Sequence, residues 1–170
     1  IPVRTGRKIS TATLLRLARE VKNVVGLKDA AGSPGETASV IAQAPAGYEV
    51  YSGDDNLTLP LMAVGAVGVI GVATAWSGED HQLMFDLWDA GDVTGARAVN
   101  AKLLESFSYE TGDEAPNPLP TKALLRHLGL PVGQARLPMG PAPAFIEERA
   151  PQVWANLVAA RASFPKRAGR

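Results

Sequence analysis

Three short apolar runs in the first half of the chain are each followed by a polar or glycine position and predict buried β-strands. Two of them are rich in β-branched or aromatic residues: residues 23–27, which end before Lys28, and residues 48–52, which end before Gly53. The third, residues 66–73, is apolar throughout, as expected of a strand covered on both faces. The pattern therefore predicts three strands, each ending where a polar group can emerge.

Longer amphipathic stretches separate these runs and predict helices. Ser10 can cap a helix over about residues 11–21. Its expected apolar face consists of Leu14, Leu15, Leu17, Ala18 and Val21. Further helices are predicted from about Glu36 to Ala44 and from about Asn56 onward. Strands that alternate with helices at this spacing are typical of βαβ units and a parallel sheet.

After Ala75 the pattern changes, and only helices are predicted. They span roughly residues 79–90, 92–108, 120–129 and 144–162. Gly91, the turn-rich stretch 113–118 and the proline-rich loop 131–143 separate them. The predicted fold class is therefore α/β, with a helical part following the parallel sheet.

The composition is that of an ordinary globular domain and excludes several classes of function. The 170 residues are 46% hydrophobic and 20% charged, and 17 basic residues balance 17 acidic ones. A binder of nucleic acid or of an anionic membrane needs a surplus of basic residues, so neither partner is expected. Cysteine is absent, which excludes disulfides, thiolate metal sites and a cysteine nucleophile. No apolar window suits a transmembrane helix, and a cytoplasmic location is the default expectation.

Lys28 is the strongest candidate for covalent chemistry. Parallel α/β folds collect their catalytic groups at the carboxyl ends of the strands, and Lys28 follows such a strand. A lysine stem that leaves a strand between apolar walls loses solvation of its ammonium, which favours the free amine that a Schiff base requires. The alternative is a strand-end lysine that reaches solvent or pairs with Asp29. Position alone leaves both interpretations open.

Arg4 and the pair Asp54 and Asp55 follow other strand ends and could lie at the same edge of the sheet. The Arg4 guanidinium suits a carboxylate or phosphate, and the alternative is a surface arginine beside Arg7 and Lys8. The two aspartates could be acid–base groups, magnesium ligands or caps of the next helix. Capping is the simplest of these roles.

Three glycines and two histidines suggest chemistry that their context does not support. Gly65, Gly68 and Gly71 lie inside an apolar run, so the dinucleotide-binding pattern fails and close backbone approach is expected instead. His81 and His127 have no partner at metal-ligand spacing. We therefore expect helix-surface histidines and no metal site.

Several short motifs occur together in the order and at the intervals found in one family. They are IPVRTG at 1–6, VGLKDA at 25–30, SGDD at 52–55, GVIGV at 68–72, NPLPTK at 117–122 and RLPM at 136–139. With them the chain resembles the dihydrodipicolinate synthase/N-acetylneuraminate lyase family of pyruvate-dependent class I aldolases, up to about residue 162. Each motif alone is weak, but the set is highly specific.

The resemblance implies a TIM (β/α)8 barrel with a C-terminal helical domain, of which this chain would be the second half. Residues 1–78 would form a partial barrel from the end of strand five to strand eight, and residues 79–163 the last barrel helix and the helical domain. Residues 164–170 would be a frayed basic tail. The start at Ile1 would be a cut through strand five, and the family's catalytic tyrosine and threonine relay would lie outside the chain.

The resemblance also implies roles for individual residues. Lys28 would form an imine with pyruvate, and Arg4 would hold the carboxylate of the aldehyde substrate. The other expected substrate-binding residues are Thr5, Gly6, Gly53, Asp54 and Ile70. Gly53 and Ile70 would act through backbone groups, and Asp54 would lie near the entrance. No cofactor is expected, because the imine at Lys28 is itself the electron sink.

The implied reaction is the condensation of pyruvate with aspartate semialdehyde to 4-hydroxy-tetrahydrodipicolinate, in lysine and diaminopimelate biosynthesis. Arg4 and the motif SGDD at 52–55 resemble the synthase branch of the family rather than the neuraminate lyases. The family implies small-molecule substrates and a homo-oligomer, commonly a tetramer. Ala31 stands where the family commonly has Ser or Thr before the loop glycine, so we expect a different loop geometry there.

Two alternatives remain open from the sequence. The parent protein could be a sister aldolase that acts on a keto-deoxy sugar acid and still uses Lys28. The chain could also be a noncatalytic half-barrel that pairs with another chain, because an open half-barrel exposes two strand edges and an apolar face. In either case we expect little or no synthase activity from the 170 residues alone.

Overall fold

The computed structural model describes residues 5–112 and 114–165. The chain divides into two compact units, which we call the sheet region (residues 1–71) and the helical region (residues 72–170). Among the described residues, strands occur only in the sheet region. The change of pattern that the sequence predicts after Ala75 therefore falls close to this division.

Within the described residues, the sheet region consists of strands and helices that alternate along the chain. They are α1 (Thr11–Glu20), β1 (Gly26–Asp29), α2 (Pro34–Gln43), β2 (Glu49–Ser52), a 3-10 turn (Asp55–Leu57), α3 (Thr58–Ala63) and β3 (Gly68–Val69). The strands are parallel and lie in the order β1-β2-β3. The predicted βαβ arrangement is confirmed.

The central strand β2 contributes one of its faces to the core of the sheet region. Val50 is 1% exposed and Ser52 is fully buried, and because these residues are two positions apart they share one face of the strand. Val40 of α2 and Leu61 of α3 add buried side chains, at 3% and 2% exposed. Helix side chains and one face of the central strand therefore form this core.

Helix α1 begins where the sequence predicts, because the Ser10 hydroxyl accepts a hydrogen bond from the Thr13 amide at 3.2 Å. Its expected apolar face is only partly buried. Leu15 is 6% exposed, whereas Leu17 and Val21 are each 37% exposed. Helical spacing shows which residues share a face but not how much of that face is covered.

The third apolar run forms less strand than predicted. Only β3 pairs with β2, although the sequence predicts a strand over residues 66–73. Val67 is 55% and Ile70 is 48% exposed, so the run is not covered on both faces. Gly68 does allow a close approach, since a Cβ there would lie 2.7 Å from the Tyr51 ring. The approaching group is a side chain and not the expected backbone.

The helical region contains four helices in the described part of the chain. They are α4 (Thr74–Asp89), α5 (Val93–Glu110), α6 (Leu119–His127) and α7 (Ala144–Arg161). All four are predicted by the sequence, although α4 begins earlier than expected. Each helix contributes to one core, with Met84, Leu103 and Leu124 at 0% and Val153 at 2% exposed.

Two polar side chains buried in the helical core, Trp76 and Tyr109, donate hydrogen bonds across it. Trp76 donates from Nε1 to the Ser106 hydroxyl at 3.1 Å. Tyr109 donates its hydroxyl proton to the Ile146 carbonyl at 3.0 Å, and burial raises the pKa of Tyr109 to about 12. These bonds remove the cost of burying the donors.

An ion pair joins α4 to α7. The Arg161 guanidinium donates to both carboxylate oxygens of Asp80, at 2.9 and 2.8 Å, and also lies over the Trp154 ring. The Asp80 side chain is only 5% exposed, against 31% for Arg161. Hydrogen bonding to Asp80 raises the pKa of Arg161. The bidentate geometry fixes the two helices in one register.

The α/β class with a parallel sheet is confirmed, while the half-barrel and the boundary after residue 78 stay predictions. The predicted strand end at 1–3, Arg4 and the tail residues 166–170 lie outside the described residues. Within the part of the chain that is described, no helix combines the length and apolar character needed to cross a membrane.

Candidate active site

The parallel strands β1 and β2 place Lys28 at the carboxyl end of β1. Close approach of these strands begins at Gly26, where a Cβ would lie 2.6 Å from the Glu49 carbonyl oxygen. A larger residue at this position would push the two strands apart. Two residues further along, Lys28 lies opposite Tyr51. Strand pairing therefore fixes the backbone from which the lysine side chain extends.

Lys28 is exposed, and its stem passes close to Gly53. A Cβ at Gly53 would lie 3.0 Å from Lys28 Cε, so the glycine leaves room for the lysine stem. Among the described residues, no salt bridge or side-chain hydrogen bond engages the Lys28 amine. The amine is therefore accessible to a small ligand.

The apolar walls expected around Lys28 are only partly formed by the described residues. Leu27 is half-buried and Lys28 is exposed, because an open three-stranded sheet does not enclose a strand end as a closed barrel does. The alternative pairing with Asp29 does not occur. Its carboxylate accepts hydrogen bonds from the Ala31 amide at 2.9 Å and from the Thr37 hydroxyl at 2.6 Å.

Asp54 follows β2 and carries a perturbed carboxyl group. It holds the N-cap position of the 3-10 turn, but its side chain makes no capping hydrogen bond, so the predicted capping role is wrong. Burial raises the pKa of Asp54, the charges of Asp55 and Asp29 act in the same direction, and Lys28 opposes them. A partly buried carboxyl close to a lysine is typical of acid–base sites.

Asp55 is 1% exposed and lies against Gly71. A Cβ at Gly71 would lie 2.2 Å from Asp55 Oδ1, a distance at which side chain and carboxylate would collide. Gly71 therefore makes room for the carboxylate. Gly71, the last of the three glycines at 65, 68 and 71, thus has a structural role in this contact.

The backbone amides of Gly53 and Ile70 are both used within the sheet. Gly53 N donates to the Asp29 carbonyl at 2.7 Å, and Ile70 N donates to the Ser52 carbonyl at 2.8 Å. The backbone groups that these two residues can offer a ligand are therefore their carbonyl oxygens. The side chain of Ile70 is 48% exposed and adds an apolar surface.

A cleft of about 340 Å³ lies beside the end of β1 and brings Thr5 and Lys28 together. Its apolar lining includes Ile9, Leu14 and Leu27. Because Thr5 precedes α1 and Lys28 lies near the end of β1, the cleft is built from segments that are distant in the sequence. Its size suits a small molecule that presents both polar and apolar groups.

Arg7 and Lys8 also line this cleft, a role that sequence reasoning missed. Lys8 forms a salt bridge with Glu36 of α2, and the Arg7 carbonyl accepts a hydrogen bond from the Thr5 hydroxyl at 2.7 Å. Gly6 has φ +67°, a left-handed conformation that favours glycine. The adjacent basic residues next to a strand end were the available signal. In the sequence alone, Arg7 and Lys8 are equally consistent with charged residues on the surface.

The two histidines differ in their surroundings. His127 is exposed, as predicted, whereas His81 is 2% exposed, and the prediction of a surface position is wrong for it. His81 Nδ1 lies 2.8 Å from the Ser77 carbonyl, and its ring lies 5.6 Å from that of Phe107. His81 is buried because helix α4 packs against α5 at this point. The residues next to His81 in the sequence do not indicate this packing.

The model of the dihydrodipicolinate synthetase family matches residues 1–158 of the chain. The chain belongs to this family. The 4-hydroxy-tetrahydrodipicolinate synthase of Moorella thermoacetica is 48% identical over 141 residues, which cover 82% of the chain and 47% of that relative. The chain thus spans about half the length of the curated relatives it matches.

Solved structures agree with this family membership. A 4-hydroxy-tetrahydrodipicolinate synthase from Methylacidiphilum fumariolicum SolV is 32% identical, with a TM-score of 0.85 over 96% of the chain and 54% of that structure. A dihydrodipicolinate synthase from Cyanidioschyzon merolae is 34% identical, with a TM-score of 0.86 over 93% of the chain and 53% of that structure. Both are TIM-barrel enzymes, in accord with the parallel sheet of the chain.

Proposed function

We propose that this chain carries the imine-forming lysine of a 4-hydroxy-tetrahydrodipicolinate synthase, and that Lys28 is that lysine. The observation that supports the proposal is an accessible amine at the carboxyl end of a parallel strand, in a chain of the dihydrodipicolinate synthetase family. The relatives named above are synthases of this type. The substrates of the parent enzyme are pyruvate and aspartate semialdehyde.

The proposed chemistry begins with attack of the Lys28 amine on the ketone carbon of pyruvate. The carbonyl oxygen leaves as water, and a carbon–nitrogen double bond forms. The protonated imine then withdraws electrons from the neighbouring methyl group, which loses a proton to give an enamine. The enamine carbon forms a bond to the aldehyde carbon of aspartate semialdehyde, whose oxygen takes up a proton. No resident cofactor takes part in this scheme.

The neighbouring residues are proposed to bind the substrates. Arg4 would hold the carboxylate of the aldehyde, as the family resemblance implies, and Thr5 and Gly6 would form the adjoining wall. Thr5 shares the cleft of Lys28, which supports its place in the site. Gly53 and Ile70 would act through their carbonyl oxygens. Asp54, whose pKa burial raises, would hold or release a proton near the entrance.

The parent enzyme is proposed to be a TIM barrel whose second half is this chain, with residues 79–163 as the last barrel helix and the C-terminal helical domain. A tetrameric assembly and a cytoplasmic location belong to the same proposal. The 170 residues alone should turn over pyruvate and aspartate semialdehyde far below the usual range of about 1–10³ per second. Turnover within that range by the purified chain would contradict the half-barrel interpretation.

The decisive experiment is borohydride reduction in the presence of pyruvate, followed by peptide mass mapping. Reduction converts an imine into a stable amine, so the modified lysine carries the mass of the reduced pyruvate group. We expect the adduct on Lys28 and its complete loss in Lys28→Arg. Lys22→Arg is the matched control, because Lys22 is also exposed and lies only a few residues away. An adduct on other lysines alone would overturn the proposal.

Association with another chain is a second property that the sheet region favours. Val25 is 68%, Val67 55% and Ile70 48% exposed, and β1 and β3 are the edge strands of the sheet that the described residues form. Exposed edges and apolar side chains promote pairing between chains. Size-exclusion chromatography should therefore show an assembly larger than 17.8 kDa, and a stable monomer would count against this property.

A further inference from the structure

Asp29, the residue after Lys28, connects three separate segments of the sheet region. Its Oδ1 accepts from the amide of Ala31, in its own loop, at 2.9 Å. Its Oδ2 accepts from the hydroxyl of Thr37, in α2, at 2.6 Å. Its backbone carbonyl accepts from the amide of Gly53, after β2, at 2.7 Å. The loop after the lysine is thus tied to a helix on one side and to the next strand on the other.

The bond from Thr37 to Asp29 is the strongest side-chain contact in this arrangement. The Thr37 hydroxyl has one proton and two acceptors within reach: the Asp29 carboxylate at 2.6 Å and the Ser33 carbonyl at 3.1 Å. The shorter, charge-assisted contact is the stronger one. Thr37 is 1% exposed, so water cannot replace the carboxylate as its partner.

The position of this loop controls the space around the lysine stem. A Cβ at Gly53 would lie 2.8 Å from the Ala30 Cβ and 3.0 Å from Lys28 Cε. Gly53 is therefore packed between the loop and the stem. A shift of Asp29 would move Ala30, which follows it, and Gly53, whose amide donates to the Asp29 carbonyl. The surface that contacts the Lys28 stem would then move as well.

We propose that Asp29 and Thr37 form a positioning pair that holds the Lys28 amine in the direction required for attack on a 2-oxo acid. The inference rests on the proposed function of Lys28 and adds two residues that act through the position of the lysine. Asp29 lines the cleft, but both of its carboxylate oxygens already accept hydrogen bonds, from the Ala31 amide and the Thr37 hydroxyl. Because correct orientation of reacting groups lowers the barrier to a covalent step, loss of the pair slows imine formation. Binding of the 2-oxo acid itself is left unchanged.

The test is the rate of imine formation on Lys28, measured by borohydride quenching at timed intervals over a range of pyruvate concentrations. Thr37→Val removes the hydroxyl but keeps the shape of the side chain. We expect its maximal rate of adduct formation to fall about tenfold. The pyruvate concentration at half-maximal rate should stay within about twofold of wild type, since ground-state binding is retained. Thr37→Ser keeps the hydroxyl and should restore the rate.

A matched control separates positioning from general loss of stability. Ser106 is also 1% exposed and accepts a buried hydrogen bond from Trp76, in the helical region. Ser106→Ala should lower the melting temperature without changing the rate of adduct formation. Asp29→Asn, which keeps the size but removes the charge, is the second variant if Thr37→Val does not fold, and its maximal rate should also fall.

The outcomes distinguish this inference from the proposed function. If wild type forms no adduct on Lys28, both are overturned. If wild type forms the adduct and neither Thr37→Val nor Asp29→Asn slows it, the positioning pair alone is overturned. A loss of rate in Ser106→Ala as large as that in Thr37→Val would also overturn it, because the effect would then be one of stability.

Discussion

The two regions of the molecule differ in the size of their buried apolar core: among the described residues, 17 hydrophobic side chains are buried in the helical region and 6 in the sheet region. In the helical region, side chains from all four described helices reach 0–2% exposure, and Asp80 and Arg161 pair in bidentate geometry. In the sheet region, Lys28 has no bonded partner among the described residues, and Val67 is 55% exposed. The region with the smaller core is the one that carries the candidate chemistry.

This difference has a physical reason. A group that reacts with a substrate must stay accessible and unpaired, and both conditions work against burial and hydrogen bonding. The helical region carries no such demand in the proposed mechanism, so its groups can be paired and buried. Stability should therefore depend most on the helical core, and reactivity on the strand ends.

The largest expected effect on stability comes from the helical core. Leu103 is 0% exposed, and Leu103→Ala should lower the free energy of unfolding by about 3 kcal/mol, through lost burial and the cavity left behind. Its neighbour Leu104 is 52% exposed, so Leu104→Ala is the matched control and should change little. Denaturant titration monitored by tryptophan fluorescence measures both, since the tryptophans are Trp76, Trp88 and Trp154. Equal losses in both variants would contradict the assigned core.

A smaller loss is expected when the ion pair of the helical region is broken. Asp80→Asn removes the charge that both Arg161 nitrogens contact, and should cost about 2 kcal/mol because the partner is left partly buried. The exposed pair of Arg16 and Glu20 in α1 is the comparison, and Glu20→Gln should cost at most about 0.5 kcal/mol. The same denaturant titration applies. A cost for Glu20→Gln as large as for Asp80→Asn would show that burial does not set the strength of these pairs.

The sheet region should respond to a change at a position of close approach. Gly71→Ala places a Cβ 2.2 Å from Asp55 Oδ1 and should destabilise the chain by about 1 to 2 kcal/mol. Gly35 is the control in the same region, because a Cβ there meets nothing within 4 Å. Gly35→Ala should be neutral or slightly stabilising. Hydrogen exchange at the β2 and β3 amides reports the effect locally, and unchanged protection in Gly71→Ala would contradict the close approach.

The sequence predicts the elements better than their surroundings. The order of strands and helices, the Ser10 cap and the strand-end position of Lys28 follow from local pattern. The burial of His81 and the exposure of Leu17 do not, because each depends on segments distant in the sequence. The same holds for the cleft that joins Thr5 to Lys28. Motifs identify the family and point to the lysine proposed to form the imine, whereas the Asp29–Thr37 contact requires coordinates.

The smallest expected effect is on the pH dependence of stability and comes from Asp54. It tests whether the positive charge of Lys28 offsets the cost of burying the Asp54 carboxylate. Burial raises the pKa of Asp54 from its ordinary value of 3.8, so the folded chain binds this proton more tightly than the unfolded chain. The stability contributed by protonated Asp54 is fully present below its unfolded pKa. It is lost as the pH rises through the folded pKa.

Asp54→Asn removes this loss, because an amide stays neutral at every pH in the range. Its free energy of unfolding relative to wild type should therefore increase as the pH rises from about 4 to about 7. If the difference for Asp54→Asn were constant or fell with pH, Lys28 would outweigh burial at this carboxyl. The strand ends would then be as well matched in charge as the helical core.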